Sequence, residues 1–250
     1  MEIIVDTISL RVPSGQTAVL VKNLYLSCDP WMRGRMNKQD DGPTVPPHGE
    51  AMVNFSVGNV MDSTHPDFTA GDLVWGMTGW EEYTLVIQPE SLRKINHTEL
   101  PLSYYTGVLG MPGLTAYACF FEVGKPRKGD FVFVSAAVGG ATLDAVLLQM
   151  RRGGRVAACG MISQYNLEEP YGLRNLYCIV AKSIRLEGFY FTSYMHVYAR
   201  FEEEMAGYIK DGKVTVVEDV VEGIDSAPAA LIGLFSGKNV GKQLVAIARA

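Results

Sequence analysis

No apolar run in the 250-residue chain reaches the length of about eighteen residues that a membrane-spanning helix needs. There is no excess of base: 22 Lys and Arg stand against 27 Asp and Glu, a formal charge of −5. That argues against a nucleic-acid partner or an anionic membrane surface, both of which call for a basic face. Cysteine is scarce. Cys28, Cys119, Cys159 and Cys178 show no C-x-x-C spacing, so neither a disulfide framework nor a zinc knuckle is expected, and a reducing compartment suits them. Repeats and low-complexity stretches are absent. The first residues, Met1-Glu2-Ile3-Ile4-Val5-Asp6, carry acid where a signal peptide carries base, so the expectation is a soluble, cytoplasmic protein.

What is there is apolar residue in quantity, 48% of the chain, enough to pack the core of one large domain or two small ones. The first hundred residues read as β structure. Thr17 to Leu26 alternates and is rich in β-branched and aromatic residues; Ala51 to Met61, Leu73 to Trp75 and Tyr83 to Ile87 follow between turn residues. Such short strands suggest a barrel or sandwich. From Ser103 the texture changes to a helical stretch reaching Glu122, interrupted at Pro112-Gly113. Phe131 to Ser135 is a continuous apolar run expected of a buried parallel strand. A helix over Leu143 to Arg152, with Thr142 as its cap, leads to a second buried strand at Arg155 to Gly160. Ile184 to Phe191 reads as a third strand and Tyr198 to Lys210 as an amphipathic helix. The end returns to β at Val214 to Val221, passes a helix at Ala227 to Phe235, and finishes with Gln243 to Ala248. A β-rich domain interrupted by an α/β insert has this order.

The strand at Phe131 is where a dinucleotide fingerprint would fall, yet Ser135-Ala136-Ala137-Val138-Gly139-Gly140 is not G-x-G-x-x-G. Read alone it is an ordinary strand–turn–helix. Longer blocks carry more. Leu24-Tyr25-Leu26-Ser27-Cys28-Asp29-Pro30-Trp31-Met32-Arg33 closely resembles the N-terminal motif of plant 2-alkenal reductases. These are NADPH-dependent double-bond reductases, relatives of animal prostaglandin reductases, in the zinc-independent medium-chain dehydrogenase/reductase superfamily. Ser103 to Gly107 with Gly110 to Tyr117, Leu143 to Leu147 with Cys159 to Asn166, and Gly237 to Lys242 are similar to three further blocks of that family. The resemblance covers nearly the whole chain. It implies a GroES-like barrel domain made of residues 1–105 and 214–250, and a Rossmann-type NADP-binding domain at 106–213.

The chain departs from the family in two ways. Relatives have a strand-length segment before the position of Met1. They also continue after the Ser-Ala-Ala of 135–137 into a glycine-rich phosphate turn and further strands and helices, whereas Ala137 here runs directly into Val138-Gly139-Gly140. At ~30 residues or more per βαβ unit, about two units are missing at the 137/138 join. The nucleotide-binding domain is therefore expected to be truncated, its NADPH binding weakened, and its remaining sheet prone to aggregate or dimerise. The surviving strands 131–135 and 155–160 are expected to pair directly in parallel.

By resemblance, Pro30 and Trp31 border the active-site cleft, Thr115 and the strand end Ser135, Ala136 and Ala137 approach the cofactor, and Cys159, Gly160, Ser163 and Tyr165 lie around the nicotinamide ribose. Phe189, Tyr190 and Phe191 flank the nicotinamide, and Asn239 contacts cofactor or substrate. Trp31 and Phe55 face the substrate, Phe55 standing where several relatives carry a tyrosine. Tyr165 is the catalytic candidate, as a hydroxyl that protonates or polarises the substrate. Each residue has a plainer reading: Tyr165 a loop tyrosine, Cys159 a small buried residue, Trp31 core, the Phe-Tyr-Phe run a packed strand. His48-Gly49-Glu50 resembles a zinc-ligating Gly-His-Glu in composition but not in order, so no metal is expected. The resemblance implies reduction of the carbon–carbon double bond of an α,β-unsaturated aldehyde or ketone, in a family of homodimers. A non-catalytic shortened isoform acting through partner association and a quinone-type reductase remain as alternatives.

Overall fold

The computed structural model describes residues 3–36, 51–134 and 139–247. Its strands are β1 (Val19–Ser27), β2 (Val53–Ser63), β3 (Leu73–Gly79), β4 (Tyr83–Val86), β5 (Leu92–Lys94), β6 (Arg155–Ala158), β7 (Arg185–Gly188), β8 (Glu218–Glu222) and β9 (Lys242–Ala246). Its α-helices are α1 (Met111–Tyr117), α2 (Gly140–Gln149), α3 (Tyr177–Ala181), α4 (Tyr198–Lys210) and α5 (Ala227–Leu234). They fall into two compact units, Met1–Met111 with Glu204–Ala250, and Pro112–Glu203.

The first unit is organised around β1, whose alternating apolar run is buried along almost its whole length. One edge takes β2 antiparallel. The other edge is shared: β4 pairs with residues 19–22 and β9 with residues 25–27, both antiparallel. β3 lies on β2, β5 on β3, and β8 runs parallel to β9, completing a seven-stranded sheet. β3 and β4 are joined through Trp80-Glu81-Glu82 yet flank opposite sides of the β1–β2 pair, which draws the sheet into a barrel-like curl. Two register shifts in β1 sharpen that curl. At the second, Gly58 of β2 faces Asn23, and a Cβ there would meet Val21 Cγ1 at 2.3 Å and the Lys22 carbonyl oxygen at 2.7 Å. Only glycine lets the two backbones approach so closely.

One apolar cluster, Val19, Val21, Val60, Phe68, Val74, Val86 and Leu92, fills the curl. A second joins Leu26, Cys28 and Val245 to Ala227 and Ala230 of α5. Between strands the buried Asn23 amide donates to the carbonyls of Gly79 (3.2 Å) and Glu81 (2.8 Å), and its oxygen accepts from Ser56 (3.0 Å) and Thr78 (3.1 Å). Satisfying an internal amide in this way fixes the pairing partners of β1 as well as its register. The return to β at the C-terminal end is realised as β9 on β1 and β8 on β9, with α5 between them in sequence.

The second unit holds a two-stranded parallel sheet of β6 and β7, registered from Arg155↔Arg185 to Ala158↔Gly188. α1 runs into a π-helical turn, Ala118–Gly124. Tyr117 of α1 packs edge-on against Phe201 of α4 at 5.5 Å, and Phe201 against Tyr198 at 5.6 Å. The helical stretch breaks at Gly107–Gly110 instead of at Pro112-Gly113: Pro112 sits in the first turn of α1, where its missing N–H is no loss. α2 begins before Thr142, from Gly139.

The expected strand at 131–135 is not formed. Residues 131–134 pair with nothing in either sheet, and Phe131, Val132, Phe133 and Val134 are 78, 54, 64 and 79% exposed; Ser135 lies outside the described residues. The parallel partner of β6 is β7 instead. A strand forms only where a neighbour offers a complementary edge, and among the described residues none is offered to 131–134. The stretch is tethered only at its root, where Asp130 accepts from Arg155 (2.5 Å), and Arg151 lies over the Phe131 ring at 3.8 Å. Exposed apolar β-formers beside a short open sheet predispose a chain to self-association. The chain should therefore show concentration-dependent growth in light-scattering mass, reduced by the pair Val132→Lys and Val134→Lys with an unchanged circular dichroism spectrum. A monodisperse wild-type monomer at high concentration, or association untouched by the two lysines, would refute this.

Candidate active site

In the first unit the site begins where β1 ends. Ser27, Cys28 and Asp29 are all buried, and Asp29 precedes the 3-10 turn Pro30–Met36 that carries Pro30 and Trp31. A carboxylate so placed needs compensation. Its Oδ2 accepts from Ser27 Oγ (2.6 Å) and Asn54 Nδ2 (2.9 Å), and its Oδ1 from Lys242 Nζ at 2.9 Å. Lys242, the first residue of β9, also donates to the Cys28 carbonyl at 2.7 Å. The ion pair is largely sequestered, its side chains 17% and 6% exposed. Asn239, three positions earlier, donates its amide to the Gly241 carbonyl (2.7 Å), which shapes the turn into β9. Trp31 is half-buried, with Arg35 over its ring at 5.0 Å. Phe55 is buried and packs against Trp75 at a ring separation of 5.9 Å.

Glu218 of β8 stands opposite Lys242 in the β8–β9 register. Burial raises its carboxyl above the usual 4.5, with a hydrogen bond from Ser103 Oγ (2.9 Å) and the nearby Lys242 charge opposing. Burial likewise pushes the Cys28 thiol up to about 12, Lys242 lowering it and Asp29 raising it.

In the second unit the carboxyl ends of β6 and β7 lie side by side. Cys159 and Gly160 leave β6, Phe189, Tyr190 and Phe191 leave β7, and Phe189 N–H donates to the Ala158 carbonyl at 3.1 Å. The loop after Gly160 folds back so that Met161 N–H donates to the Tyr165 hydroxyl oxygen at 3.1 Å. That bond fixes the position of the hydroxyl oxygen. Gln164 Oε1 accepts from Tyr171 N–H (2.7 Å). Asp144 of α2 anchors the remainder of the loop, accepting from Arg174 N–H (3.0 Å), Asn175 N–H (3.0 Å) and the Tyr171 hydroxyl (3.0 Å). These bonds, the Arg174 N–H foremost, hold its carboxyl below the ordinary carboxylate value.

The structure thus gathers Cys159, Gly160, Ser163, Tyr165 and Phe189 to Phe191 at one sheet end of the second unit, which also contains Thr115, half-buried on α1. Pro30, Trp31, Phe55 and Asn239 belong to the first unit. Ser135, Ala136, Ala137 and the 137/138 join lie outside the described residues, as do His48, Gly49 and Glu50. Sequence reasoning missed Asp29, Lys242 and Asp144 as the groups that hold these segments. All three are charges inside otherwise apolar blocks, and a charge in a buried block implies a partner elsewhere.

Open α/β sheets receive nucleotides at the carboxyl ends of their strands. The nicotinamide end of a dinucleotide fits that description: aromatic faces at 189–191, small residues at 159–160 and an anchored hydroxyl at 165. At Gly139 and Gly140, both with positive φ, a side chain would meet Met161 Cβ at 2.9 Å and Gln164 Nε2 at 2.6 Å, so glycine is required by the packing of the following loop.

The curled β domain, split in sequence around an α/β unit with its candidate groups at the strand ends, defines a nucleotide-dependent oxidoreductase of the medium-chain type. Residues 8–95 match the sequence pattern of the N-terminal domain of oxidoreductase. The chain is 43% identical to the NADP(+)-dependent 2-alkenal reductase of Nicotiana tabacum, over 100% of this chain and 93% of that one, and 40% identical to the (+)-pulegone reductase of Mentha piperita, over 98% and 92%. It superposes on CurA of Vibrio vulnificus, solved in complex with NADPH, with a TM-score of 0.81 and 28% identity, covering 96% of this chain and 93% of that one. The chain belongs to the family of the plant 2-alkenal and double-bond reductases. The alignment to the tobacco protein runs over 319 positions against the 250 residues here, so positions of the relative have no counterpart within this chain.

Two outcomes follow for the buried charges. Lys242→Met removes the cation and leaves the Asp29 carboxylate sequestered, which should cost about 3–5 kcal/mol in urea unfolding. Adding Asp29→Asn should restore most of the loss; a single substitution costing under ~1 kcal/mol would show that the pair does not bind β9 to β1. Glu218 sets a pH dependence. Its folded value lies above 4.5, so the folded state holds the proton more tightly than the unfolded chain. Stability is therefore gained as pH falls through the raised value and lost again as the group ionises above it. Glu218→Gln should be more stable than wild type above neutrality, and the advantage should vanish below 4.5. A difference in melting temperature independent of pH would remove Glu218 from that role.

Proposed function

We propose that this chain binds the nicotinamide end of NADPH at the carboxyl ends of β6 and β7 and reduces the carbon–carbon double bond of an α,β-unsaturated aldehyde or ketone. The observation that carries the reading is the Ala158↔Gly188 register, which sets Cys159 and Gly160 beside Phe189 with the anchored Tyr165 on the following loop. The names of the tobacco and mint relatives give the substrate class, a conjugated alkenal or enone. NADPH supplies a hydride to the β-carbon of such a substrate. The chain's own residues orient and protonate. Phe189, Tyr190 and Phe191 flank the nicotinamide, while Cys159, Gly160 and Ser163 surround its ribose. Thr115 approaches the cofactor, as do Ser135, Ala136 and Ala137, which lie outside the described residues. Tyr165, its oxygen held by the Met161 N–H, directs its proton to the substrate oxygen, where negative charge develops. Pro30 borders the cofactor, Trp31 and Phe55 face the substrate, and Asn239 contacts cofactor or substrate. In this reading residues 1–105 and 214–250 are the substrate domain and 106–213 the NADP-binding domain. The protein works in the cytoplasm, where its four free thiols stay reduced, and as a homodimer like its family.

A second reading is motivated by the positions of the tobacco relative that have no counterpart here: a chain that does not turn over and acts through association with full-length partners. Titration separates the two. Charge-assisted hydrogen bonds to phosphate contribute about 1.5–3 kcal/mol each. Losing about three weakens NADPH binding at least ~10³-fold relative to an uninterrupted relative. Calorimetry on the folded protein should find binding weaker than micromolar, and NADPH consumption should be slow with alkenals and enones and slower with quinones. Tyr165→Phe should lower kcat by ~10²–10⁴ and leave Kd for NADPH unchanged. Micromolar or tighter binding would overturn the loss of the phosphate site. An unaltered kcat would return Tyr165 to a structural role, and a complete lack of turnover would favour the second reading.

A further inference from the structure

The loop that carries Tyr165, from Met161 to Asn175, has little apolar anchorage. Met161 and residues 166–170 are exposed, and Tyr165 and Tyr171 are only half-buried. Asp144 of α2 is in the opposite situation, 4% exposed. A buried carboxylate must find donors, and Asp144 finds them in this loop. Its oxygens accept from Arg174 N–H (3.0 Å), Asn175 N–H (3.0 Å) and the Tyr171 hydroxyl (3.0 Å), and its own carbonyl accepts from the Asn175 side-chain amide (3.3 Å). The hold then passes inward. Tyr171, fixed at its hydroxyl, donates its N–H to Gln164 Oε1 at 2.7 Å. Gln164 Nε2 lies against Gly140, the first residue of α2, and donates to Ser163 Oγ at 3.1 Å. Gln164 N–H donates to the Met161 carbonyl (2.8 Å), and Met161 N–H to the Tyr165 hydroxyl oxygen (3.1 Å). A continuous path of hydrogen bonds thus leads from Asp144 through Tyr171, Gln164 and Met161 to Tyr165, all of it in the second unit.

We propose that Asp144 is a positioning residue for Tyr165: acting through Tyr171 and Gln164, it fixes where the Tyr165 hydroxyl stands during the reaction. This rests on the role given to Tyr165 above. Asp144 itself touches neither substrate nor cofactor in that reading. The chemistry requires a carboxylate, because three donors converge on its two oxygens. An amide of the same shape offers one acceptor oxygen and turns an NH₂ group toward donors that it cannot satisfy. Proton transfer depends on placement to within a fraction of an ångström, so a loop released at Asp144 loses rate without losing any group that takes part in the chemistry.

The test uses the full, folded chain and needs no cofactor for its first readout. Hydrogen exchange at the Met161 amide, and the ¹³Cζ resonance of Tyr165 in tyrosine-labelled protein assigned with Tyr165→Phe, report directly on the bond at the hydroxyl. In Asp144→Asn, Met161 exchange should accelerate by about 10-fold, the worth of one net hydrogen bond, and the Tyr165 resonance should move toward that of free tyrosine. The Phe189 N–H, bonded to the Ala158 carbonyl at the end of the β6–β7 ladder, should keep its wild-type exchange. Tyr171→Phe, which leaves the carboxylate and its backbone donors in place, should give the same changes and keeps the test open if Asp144→Asn fails to fold. In turnover, Asp144→Asn should lower kcat by up to ~10²-fold and add nothing in a Tyr165→Phe background, since the two act through one group. Unchanged Met161 exchange and an unmoved Tyr165 resonance in both variants would overturn the proposal. So would equal acceleration at Phe189, the mark of general destabilisation, or full additivity of the two substitutions in kcat. A Tyr165→Phe chain with unaltered kcat would instead sink the role of Tyr165, an outcome separate from the exchange result.

Discussion

The contact between Asp29 and Lys242 joins residues 213 positions apart and sets where the chain closes on itself. A lysine that also bonds the Cys28 carbonyl fixes β9 against the end of β1 in one register. A slip of one residue would turn Lys242 to the opposite face and strand a buried carboxylate. Such a pair specifies more than it stabilises, since desolvation takes back much of the attraction. What it specifies is considerable. The β1–β9 pairing splits the free edge of β1 with β4, and β8 follows β9 in parallel. α5 then covers Leu26 and Val245. Pro30 and Trp31 leave one partner of the bond directly, and Asn239 leads into the other.

The α/β unit is held by one parallel ladder and by side-chain bonds. Its strand ends at β6 and β7 keep their parallel register, and the loop from Gly160 to Asn175 stays clamped because Asp144 draws in two backbone N–H groups and a tyrosine hydroxyl. That clamp lies wholly within the second unit. The Gly139-Gly140 turn abuts the same loop, at Met161 and Gln164.

The barrel-forming strands were legible because period-two alternation and turn residues are local signals, and β1 to β4 fall within a few residues of the runs at 17–26, 51–61, 73–75 and 83–87. α4 coincides with its amphipathic run, Tyr198 to Lys210. The strand at Phe131 was misread because an apolar run reports the capacity to pair, and whether a partner exists is a property of the rest of the chain. The interruption in the helical stretch was misplaced for a related reason: proline breaks a helix in its interior and suits its first turn, and which applies depends on where the helix starts. In the candidate site, Cys159 and Tyr165 belong to one contiguous block, which the fold keeps together on the loop after β6. Asp29, Lys242 and Asp144 were in view as letters, yet their partners are brought in by folding and carry no spacing signal.

The π turn lies along β6, and Arg155 holds that packing while also fastening Asp130. One arginine therefore spans the root of the unpaired Phe131 stretch and the turn that carries Cys119. In a sheet with more strands, ladder hydrogen bonds would fix β6 and its neighbours cooperatively. With one ladder partner left, side-chain bonds from Arg155, Lys182 and Asp144 assume more of that role. Side-chain restraints allow larger local excursions than a continuous backbone ladder does.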